Sequence, residues 1–236
     1  MGRLFVTGDI HGGLDIDKLT SKNFKCSDLT KDDILVILGD VGLTWCNGPI
    51  EKYYLDWLDK KPWTTFCVLG NHENYDLIAK LPTATFGGEE VYQAGNSIFY
   101  AKTGRIYTLC GQKCLVVNGA DSTDVFIDGK RYRKEGVSWW PQERITKSDV
   151  TKALVSLKQC GGTVDYVFTH TGGSAVSGFL GFNPTPSDTN LDTILERVIY
   201  KDRFCGHYHR DMTTPDAKIM YNDIRMIAYE GKETVF

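Results

Sequence analysis

Five turns in the sequence carry residues that bind metal ions, and they share one pattern. In each, a short apolar run ends and a glycine or threonine precedes an Asp, Asn or His, and together the turns hold all five histidines of the chain. Carboxylate, imidazole and amide oxygen are ligands for Mn²⁺, Fe and Zn²⁺, so the pattern predicts a metal centre. The turns are Gly8–Gly12, Gly39-Asp40, Gly70–Glu73, Thr169-His170 and Gly206–His209.

The number and type of these donors suit a pair of ions better than one. Two ions about 3.5–4 Å apart, as in many phosphate-processing enzymes, need a shared anionic ligand to screen their repulsion. Asp40 is the metal-binding residue of a turn that contains no histidine, which makes it the natural bridge. Glycine beside nearly every donor allows a tight turn and close approach of the backbone to a metal or phosphate.

The elements that must position these turns are visible in the first third of the chain. Leu4–Thr7, Ile34–Leu38 and Thr65–Leu69 are short apolar runs that end beside glycine, as buried parallel strands do. Between the last two lies a helical pattern over Ile50–Lys60, which stops before Pro62. Strand–helix–strand order predicts an α/β sheet, in which functional groups gather beyond the carboxyl ends of the strands.

Later segments predict a second group of strands and two more helices. They indicate one domain over residues 1–236, with two stacked sheets and helices outside. Predicted antiparallel hairpins involve Ser97–Lys102, Arg105–Leu109, Lys113–Val117, the pair flanking Asp128-Gly129, and the tail Ile219–Tyr229. Predicted helices span about Ser148–Gln159 and Asp188–Tyr200, predicted buried strands are Val164–Phe168 and Arg203–Cys205, and Phe179–Asp188 is predicted as a long loop.

Composition and net charge bear on the partners and the cellular compartment of the protein. The net charge is −3, so a general nucleic-acid-binding protein is not expected. There is no run of 18 apolar residues that would span a membrane, and the N-terminus shows no secretory signal pattern. Most of the seven cysteines are expected to be reduced, buried thiols, and we therefore expect a cytoplasmic protein.

The combined motifs resemble those of the calcineurin-like metallophosphoesterase superfamily. The set Asp-x-His, Gly-Asp, Gly-Asn-His-Glu, a later His and Gly-His-x-His runs from position 8 to 209 in the family's order. The resemblance implies a four-layer αββα sandwich, with two mixed β-sheets flanked by helices. It also implies a metal-dependent phosphatase or phosphodiesterase in which a metal-bridging hydroxide attacks a phosphomonoester or phosphodiester.

The resemblance also implies a role for each matching residue. Asp9, His11 and His209 (the first set) resemble ligands of one metal ion, and Asn71, His170 and His207 (the second set) resemble ligands of the other. Asp40 resembles the bridge, and Asn71 would also face the substrate. His72 resembles a residue that is not a ligand but protonates the leaving oxygen, a task that suits an imidazole titrating near neutrality. Manganese is the ion most expected in vitro, with iron and zinc as alternatives.

One departure weakens a protein-phosphatase interpretation. Where that branch has Gly-Asp-x-x-Asp-Arg-Gly, this chain has Leu43 and Thr44 in place of the second Asp and the Arg. A narrower resemblance, to small bacterial and phage metallophosphoesterases with a Trp-Trp-Pro-Gln-Glu segment at 139–143, suggests a replacement. Arg131 or Arg133 would contact substrate phosphate, and Trp139 or Trp140 would form an apolar wall. The alternatives are an exposed basic hairpin and tryptophans that only pack.

Two rival functions stay open at this point. One is a binding scaffold, since some relatives on this fold have lost catalysis, and the other is a nuclease acting on DNA or RNA ends. The complete donor set favours catalysis on a small phosphorylated substrate, with a nucleotide among the candidates. Among the remaining carboxylates, Asp15, Asp17 and Asp28 are expected to be helix caps or solvated loop residues, and Glu73 to support the Asn71-His72 turn.

Overall fold

Two β-sheets lie face to face in the computed structural model, which describes residues 2–127, 129–229 and 232–233. Within these residues the larger sheet has eight strands, in the spatial order β16-β15-β1-β2-β3-β6-β5-β4. Numbered along the chain, its strands are β1 (Arg3–Thr7), β2 (Ile34–Leu38), β3 (Thr64–Val68), β4 (Thr83–Phe86), β5 (Glu89–Gln93), β6 (Ile98–Ala101), β15 (Arg225–Tyr229) and β16 (Lys232–Glu233). Its centre, β1-β2-β3-β6, is parallel, and β5 and β15 pair antiparallel on either side.

The second sheet has six strands among the described residues, in the order β13-β14-β12-β11-β8-β7. The strands are β7 (Arg105–Leu109), β8 (Gln112–Val117), β11 (Tyr166–Thr169), β12 (Asp202–Cys205), β13 (Met212–Thr213) and β14 (Lys218–Ile219). β8, β11, β12 and β14 run parallel, whereas β7 and β13 are antiparallel edges. A small hairpin joins β9 (Phe126–Ile127) to β10 (Lys130–Arg131). The predicted turn residue Asp128 lies outside the described residues.

Strand alternation explains how the layers stack. In β2, Ile34, Val36 and Leu38 point into the core between the two sheets, while Leu35 and Ile37 point to the outer face. That outer face is covered by α1 (Pro49–Asp59) and the loops around it, and the short helix α2 (Tyr75–Ile78) follows β3. Successive strand residues face opposite sides, so a strand buried on both faces must be apolar throughout.

Helices cover the outer face of the second sheet in the same way. α3 (Lys147–Gln159), α4 (Gly173–Phe179) and α5 (Pro186–Leu195) lie on this side, and apolar residues of α3 and α5 join the core cluster under it. Thr146 and Thr185 begin α3 and α5 with capping boxes, in which the threonine hydroxyl accepts the N3 amide. The result is the expected four-layer αββα sandwich of two mixed sheets. Two short 3₁₀ helices complete the elements, at Ile16–Leu19 and Pro141–Glu143.

Some pairings differ from the sequence prediction. The predicted hairpin of Ser97–Lys102 with Arg105–Leu109 is wrong, because β6 pairs with β3 and β5 while β7 belongs to the other sheet. The tail is not a hairpin either, since β14 and β15 also lie in different sheets. In both cases the connecting turn carries the chain from one layer to the other. None of the helices within the described residues is long and apolar enough to cross a membrane.

Candidate metal centre

The five strand-end turns converge at one edge of the sandwich, and their backbone is unusually strained. Among the described residues, six non-glycine residues have a positive φ, and four of them are predicted ligands. These four are His11 (42°), Asp40 (46°), His207 (70°) and His209 (49°). The left-handed region costs an L-residue roughly 1–3 kcal/mol and persists where surrounding structure imposes it, which is frequent at functional sites.

Two glycines make room for this convergence. A Cβ on Gly39 would lie 2.2 Å from Nδ1 of His170, and a Cβ on Gly70 would lie 2.1 Å from Oδ1 of Asp40. Real Cβ atoms do not approach other atoms so closely. The glycines that precede Asp40 and Asn71 therefore let the backbones of β2 and β3 pass directly against the candidate ligands.

The first set and Asp40 form a compact cluster. Asp9, His11, Asp40 and His209 each offer one ligand atom, and these atoms all lie within 4.8 Å of one another. Nε2 of His209 is 3.2 Å from Oδ2 of Asp9, and Nε2 of His11 is 3.4 Å from Oδ2 of Asp40. Two carboxylates and two imidazoles at such distances match the donor types of a manganese, iron or zinc site.

The second set lies on the other side of Asp40. Nε2 of His170 is 3.0 Å from Oδ1 of Asn71 and 3.3 Å from Oδ1 of Asp40. The His170 ring packs edge-on against His207, with ring centroids 4.9 Å apart. The main-chain amide of His207 donates to Oδ1 of Asp9 (3.1 Å), which ties this turn to the first set.

The donors fit the cations that the pattern predicts. Oδ2 of Asp9 is fully buried and accepts no hydrogen bond among the described residues, even though Nε2 of His209 lies 3.2 Å away, and a buried carboxylate oxygen needs a partner. Nδ1 of His170 lies 2.8 Å from the Leu38 carbonyl, so Nδ1–H donates there and Nε2 presents a lone pair to two oxygens. Such lone pairs come together only around a proton or a cation.

In the metal-free chain, protons take the place of metal ions between the histidine nitrogens and the carboxylate oxygens. Burial disfavours the charged forms of His11 and His170, but the carboxylate of Asp40, assisted by Asp9, outweighs it and raises the pKa of each to about 9. Burial alone would raise the pKa of Asp40, yet the neighbouring histidines lower it well below its ordinary value. Burial and the nearby His170 lower the pKa of His207 to about 4, so this ring is neutral and ready to bind metal.

His72 lies beside the cluster and faces an arginine. Its main-chain amide donates to Oδ1 of Asp40 (2.7 Å), and its ring lies 5.7 Å from the ring of His11. The guanidinium of Arg133 lies along the ring, with Nη1 3.4 Å from Nδ1 and Nη2 3.3 Å from Nε2. Asp124 holds the arginine in place by accepting from its Nε (2.7 Å). Burial, Arg133 and the other histidines lower the pKa of His72.

Arg131 and the tryptophans lie elsewhere. The Arg131 guanidinium stacks over the exposed ring of Phe126, so the structure does not bring it to the cluster. Trp139 is only 6% exposed, and its indole N–H donates to Glu143. Trp140 is 2% exposed and donates to Asp76. The structure therefore offers neither tryptophan as an exposed face, and both pack as the alternative prediction had it.

Asp15, predicted as a cap or a solvated loop residue, holds the N-cap position of the following 3₁₀ helix, but its side chain contacts His11 instead of capping that helix. Its Oδ2 lies 2.8 Å from Nδ1 of His11, while its side chain makes no cap hydrogen bond to the following 3₁₀ helix. A carboxylate on the far nitrogen of a ligand histidine orients the ring and raises its basicity. The four-residue spacing from His11 was the signal that could have revealed it. Glu73, predicted to support the Asn71-His72 turn, accepts from the amides of Val41 and Gly42 and so ties its own turn to the loop after Asp40.

Fold and cluster together define an αββα protein whose strand ends gather one group of metal-competent side chains, Asp9, His11, Asp40 and His209, with His170 and Asn71 beside its Asp40. Residues 2–211 match the family described as calcineurin-like phosphoesterase. The chain belongs to that family, whose members depend on a dinuclear metal site. The narrower resemblance to the Trp-Trp-Pro-Gln-Glu subgroup stays a prediction.

Two solved structures show a distant similarity to this chain. One is a putative 5′-nucleotidase from Staphylococcus aureus in complex with alpha-ketoglutarate, with 13% identity, a TM-score of 0.46 and coverage of 93% of this chain. The chain spans only 48% of that protein. The other is a phosphopantetheinyl hydrolase from Mycobacterium tuberculosis, with 13% identity, a TM-score of 0.43 and coverage of 93% of this chain and 88% of that one. Neither likeness is close enough to transfer a substrate. No curated protein matches the chain.

Proposed function

We propose that the chain uses two divalent ions to hydrolyse a phosphomonoester or phosphodiester in a small phosphorylated substrate, with His72 as the general acid. In this proposal Asp9, His11 and His209 hold one ion, and Asn71, His170 and His207 hold the other. Asp40 is shared between the two ions. The substrate, a nucleotide among the candidates, binds over the exposed side of the cluster.

The observation that carries the proposal is the placement of Asp40. One of its carboxylate oxygens, Oδ2, faces His11 of the first set, and the other, Oδ1, faces His170 of the second set. Asp40 is only 1% exposed, so its carboxylate is not a solvated surface group. A buried carboxylate that offers one oxygen to each donor set is what a bridging ligand requires.

His72 and Arg133 supply the remaining groups. When bound, the two ions would polarise the phosphate and lower the pKa of a coordinated water, which provides the nucleophile. His72 lies next to the first set and can deliver a proton to the leaving oxygen. The guanidinium of Arg133, which lies against the His72 ring, can donate to phosphate oxygens and stabilise charge that builds up on them.

Hydrolysis of two chromogenic esters tests the proposal. We expect Mn²⁺-dependent release of nitrophenol from p-nitrophenyl phosphate, from bis-p-nitrophenyl phosphate, or from both. Asp40→Asn should abolish it, while Asp17→Asn, a change to an exposed carboxylate in the 3₁₀ helix Ile16–Leu19, should not. Bound metal without turnover of either ester, or of mono-, di- and cyclic nucleotides, would instead support the scaffold function.

Manganese as the working ion and the cytoplasm as the compartment stay predictions. The donor set accepts iron and zinc equally well on chemical grounds, since it combines imidazole nitrogens with carboxylate oxygens. Activity measured with Mn²⁺, Fe²⁺ and Zn²⁺ in turn, on metal-free protein, would rank them.

A further inference from the structure

Two candidate ligands in the Gly206–His209 turn lie on either side of one tyrosine, Tyr208. His207 belongs to the second set and His209 to the first, so this single turn serves both proposed ions. Both histidines have a positive φ, 70° at His207 and 49° at His209. That conformation is unfavourable for a residue with a side chain and persists only where surrounding contacts impose it. In the metal-free chain, contacts of the turn with the rest of the protein must therefore hold it.

Main-chain hydrogen bonds attach only the first half of this turn. The amide of Gly206 donates to the carbonyl of His170 (3.1 Å), and the amide of His207 donates to Oδ1 of Asp9 (3.1 Å). Among the described residues, no main-chain hydrogen bond joins Tyr208 or His209 to a segment outside the turn. The second half of the turn is therefore held through side chains.

The hydroxyl of Tyr208 provides such an attachment. It accepts from the amide of Gly172 (3.1 Å) and lies 3.0 Å from the hydroxyl oxygen of Ser177 in α4. The hydroxyl of Thr171 is a more distant neighbour, at 3.3 Å. Because Gly172 follows two residues after His170, the Tyr208 side chain joins its own turn to the turn that carries another candidate ligand.

Asp188 fixes the direction of these hydrogen bonds. The residue is only 1% exposed, and its carboxylate accepts from the hydroxyls of Thr171 (2.6 Å) and Ser177 (3.1 Å), and from the amide and hydroxyl of Thr185 (2.9 and 3.0 Å). An ionised carboxylate only accepts, so the Ser177 proton is directed at Asp188 and the Ser177 oxygen accepts the proton of Tyr208. The hydrogen bonds thus run from a main-chain donor through two hydroxyls to a buried acceptor.

The segment to which Tyr208 is attached is itself held in place. Nη1 of Arg203, a buried residue of β12, donates to the carbonyl of Gly172 (2.7 Å). A Cβ on Gly172 would lie 3.0 Å from Cε2 of Tyr208, so the glycine permits this close approach. The Tyr208 ring also packs edge-on against the His207 ring, with centroids 5.1 Å apart. The tyrosine therefore contacts both a fixed part of the second sheet and a candidate ligand.

We propose that Tyr208 is a positioning residue whose hydroxyl, bonded to Gly172 and Ser177, holds His207 and His209 in their left-handed conformation before metal binds. Without this attachment the turn would relax in the metal-free protein, and metal binding would have to restore the strained conformation. A site that is already in its binding conformation binds more tightly. The role rests on the proposed two-metal function, because the turn contributes one ligand to each ion.

Metal binding by substrate-free protein tests this role. Tyr208→Phe removes only the hydroxyl and keeps the ring. Titration of metal-free protein with Mn²⁺, followed by calorimetry and elemental analysis, should show both ions bound about 10–100-fold more weakly. Ser177→Ala, which removes the next hydroxyl, should weaken both ions by a smaller factor. Amide hydrogen exchange at residues 207–210 of metal-free Tyr208→Phe should be faster than in the wild type, and excess Mn²⁺ should slow it again.

Tyr107→Phe is a matched control, because it removes a tyrosine hydroxyl of the second sheet that is also held by the main chain. That hydroxyl accepts from the amide of Lys102 (2.8 Å) and donates to the carbonyl of Glu90 (3.1 Å), and neither partner is a candidate ligand. We expect this variant to bind both ions with wild-type affinity, even if its free energy of unfolding is lower.

The two variants separate the role of Tyr208 from the two-metal function. Wild-type affinities and exchange rates in Tyr208→Phe, or equal weakening in Tyr107→Phe, would overturn the role of Tyr208 and leave the two-metal function standing. A wild type that binds a single ion would overturn the two-metal function. The difference between Tyr208→Phe and Tyr107→Phe in affinity for that ion would still decide whether the Tyr208 hydroxyl positions its turn.

Discussion

At the scale of single residues, a substitution of His72 can distinguish proton transfer from metal binding. Its ring lies beside the cluster, yet its assigned task needs no metal contact. We expect His72→Ala to keep two ions per chain and to lose roughly 10²–10⁴-fold in kcat, the usual contribution of a general acid. Single-turnover kinetics and elemental analysis on the same preparation measure both. Unchanged kcat, or loss of an ion, would contradict the role.

Arg133 and Arg131 form a natural pair for mutation, since they lie two positions apart on one hairpin and only Arg133 contacts His72. Arg133→Ala should lower kcat/KM by about 10–100-fold, because it removes a charged hydrogen bond to phosphate worth about 1.5–3 kcal/mol. Arg131→Ala should leave kcat/KM within about twofold of wild type. Equal effects of the two variants would argue for a general contribution of positive charge instead.

The sequence predicted which residue types gather, but not how each side chain points. The strand-end pattern located all seven candidate ligands and His72, because a glycine-flanked donor after a buried strand leaves few other places for it. Asp15 was missed because a carboxylate in a loop has many ordinary roles. One prediction made Trp139 an apolar wall of the substrate site, although an indole is equally suited to a buried position with one hydrogen bond.

At the scale of secondary-structure elements, the start of β2 is attached to β1 by one ion pair that can be tested. Asp33 accepts from the main chain and side chain of Arg3 and from the amide of Thr30. We expect Asp33→Asn to lower the free energy of unfolding at pH 7 by about 2–3 kcal/mol, somewhat less than for a fully buried pair because the Arg3 side chain is 20% exposed. Urea denaturation measures this value.

The pH dependence of that difference has a definite sign. Burial alone would raise the pKa of Asp33, but hydrogen bonds from Arg3 and Thr30 lower it below its ordinary value. A carboxyl whose pKa is lowered on folding stabilises the protein above its unfolded pKa of about 3.9, and this contribution is lost as the pH falls through the folded value. The gap between wild type and Asp33→Asn should therefore shrink below pH 4. A constant gap would show that the ion pair is not its source.

Elements with a regular apolar pattern, fully apolar in the strands and at helical spacing in α1, were the ones that the sequence located well. β1, β2, β3 and α1 lie within about one residue of their predicted bounds at nearly every end. β4 and β5 were missed because they are polar and lie at the edge of the larger sheet, with partly exposed side chains. The wrong hairpins at Thr103-Gly104 and after Ile219 have one cause. A short turn between two strands has the same sequence whether it joins neighbours or crosses between layers.

At the scale of the whole molecule, metal ions and protons compete for the same donors. His11 and His170 have raised pKa values of about 9 in the metal-free chain, so their stabilising charge pairs with Asp40 are present below the unfolded pKa of about 6.5 and fade as the pH rises through 9. Metal binding must displace those protons. The increase in Tm produced by excess Mn²⁺ should therefore grow between pH 6.5 and 9. Thermal scans with and without metal measure it, and a pH-independent increment would contradict the competition.

The central claim is that two ions share Asp40. Electron paramagnetic resonance of the metal-free chain loaded with two equivalents of Mn²⁺ tests it most directly, because exchange coupling between two ions requires a ligand that bridges them. We expect the spectrum of an exchange-coupled Mn²⁺ pair in the wild type, and in Asp40→Asn the signal of isolated Mn²⁺ with at most one tightly bound ion. A wild type that shows only uncoupled Mn²⁺, or an Asp40→Asn variant with an unchanged coupled spectrum, would contradict the account.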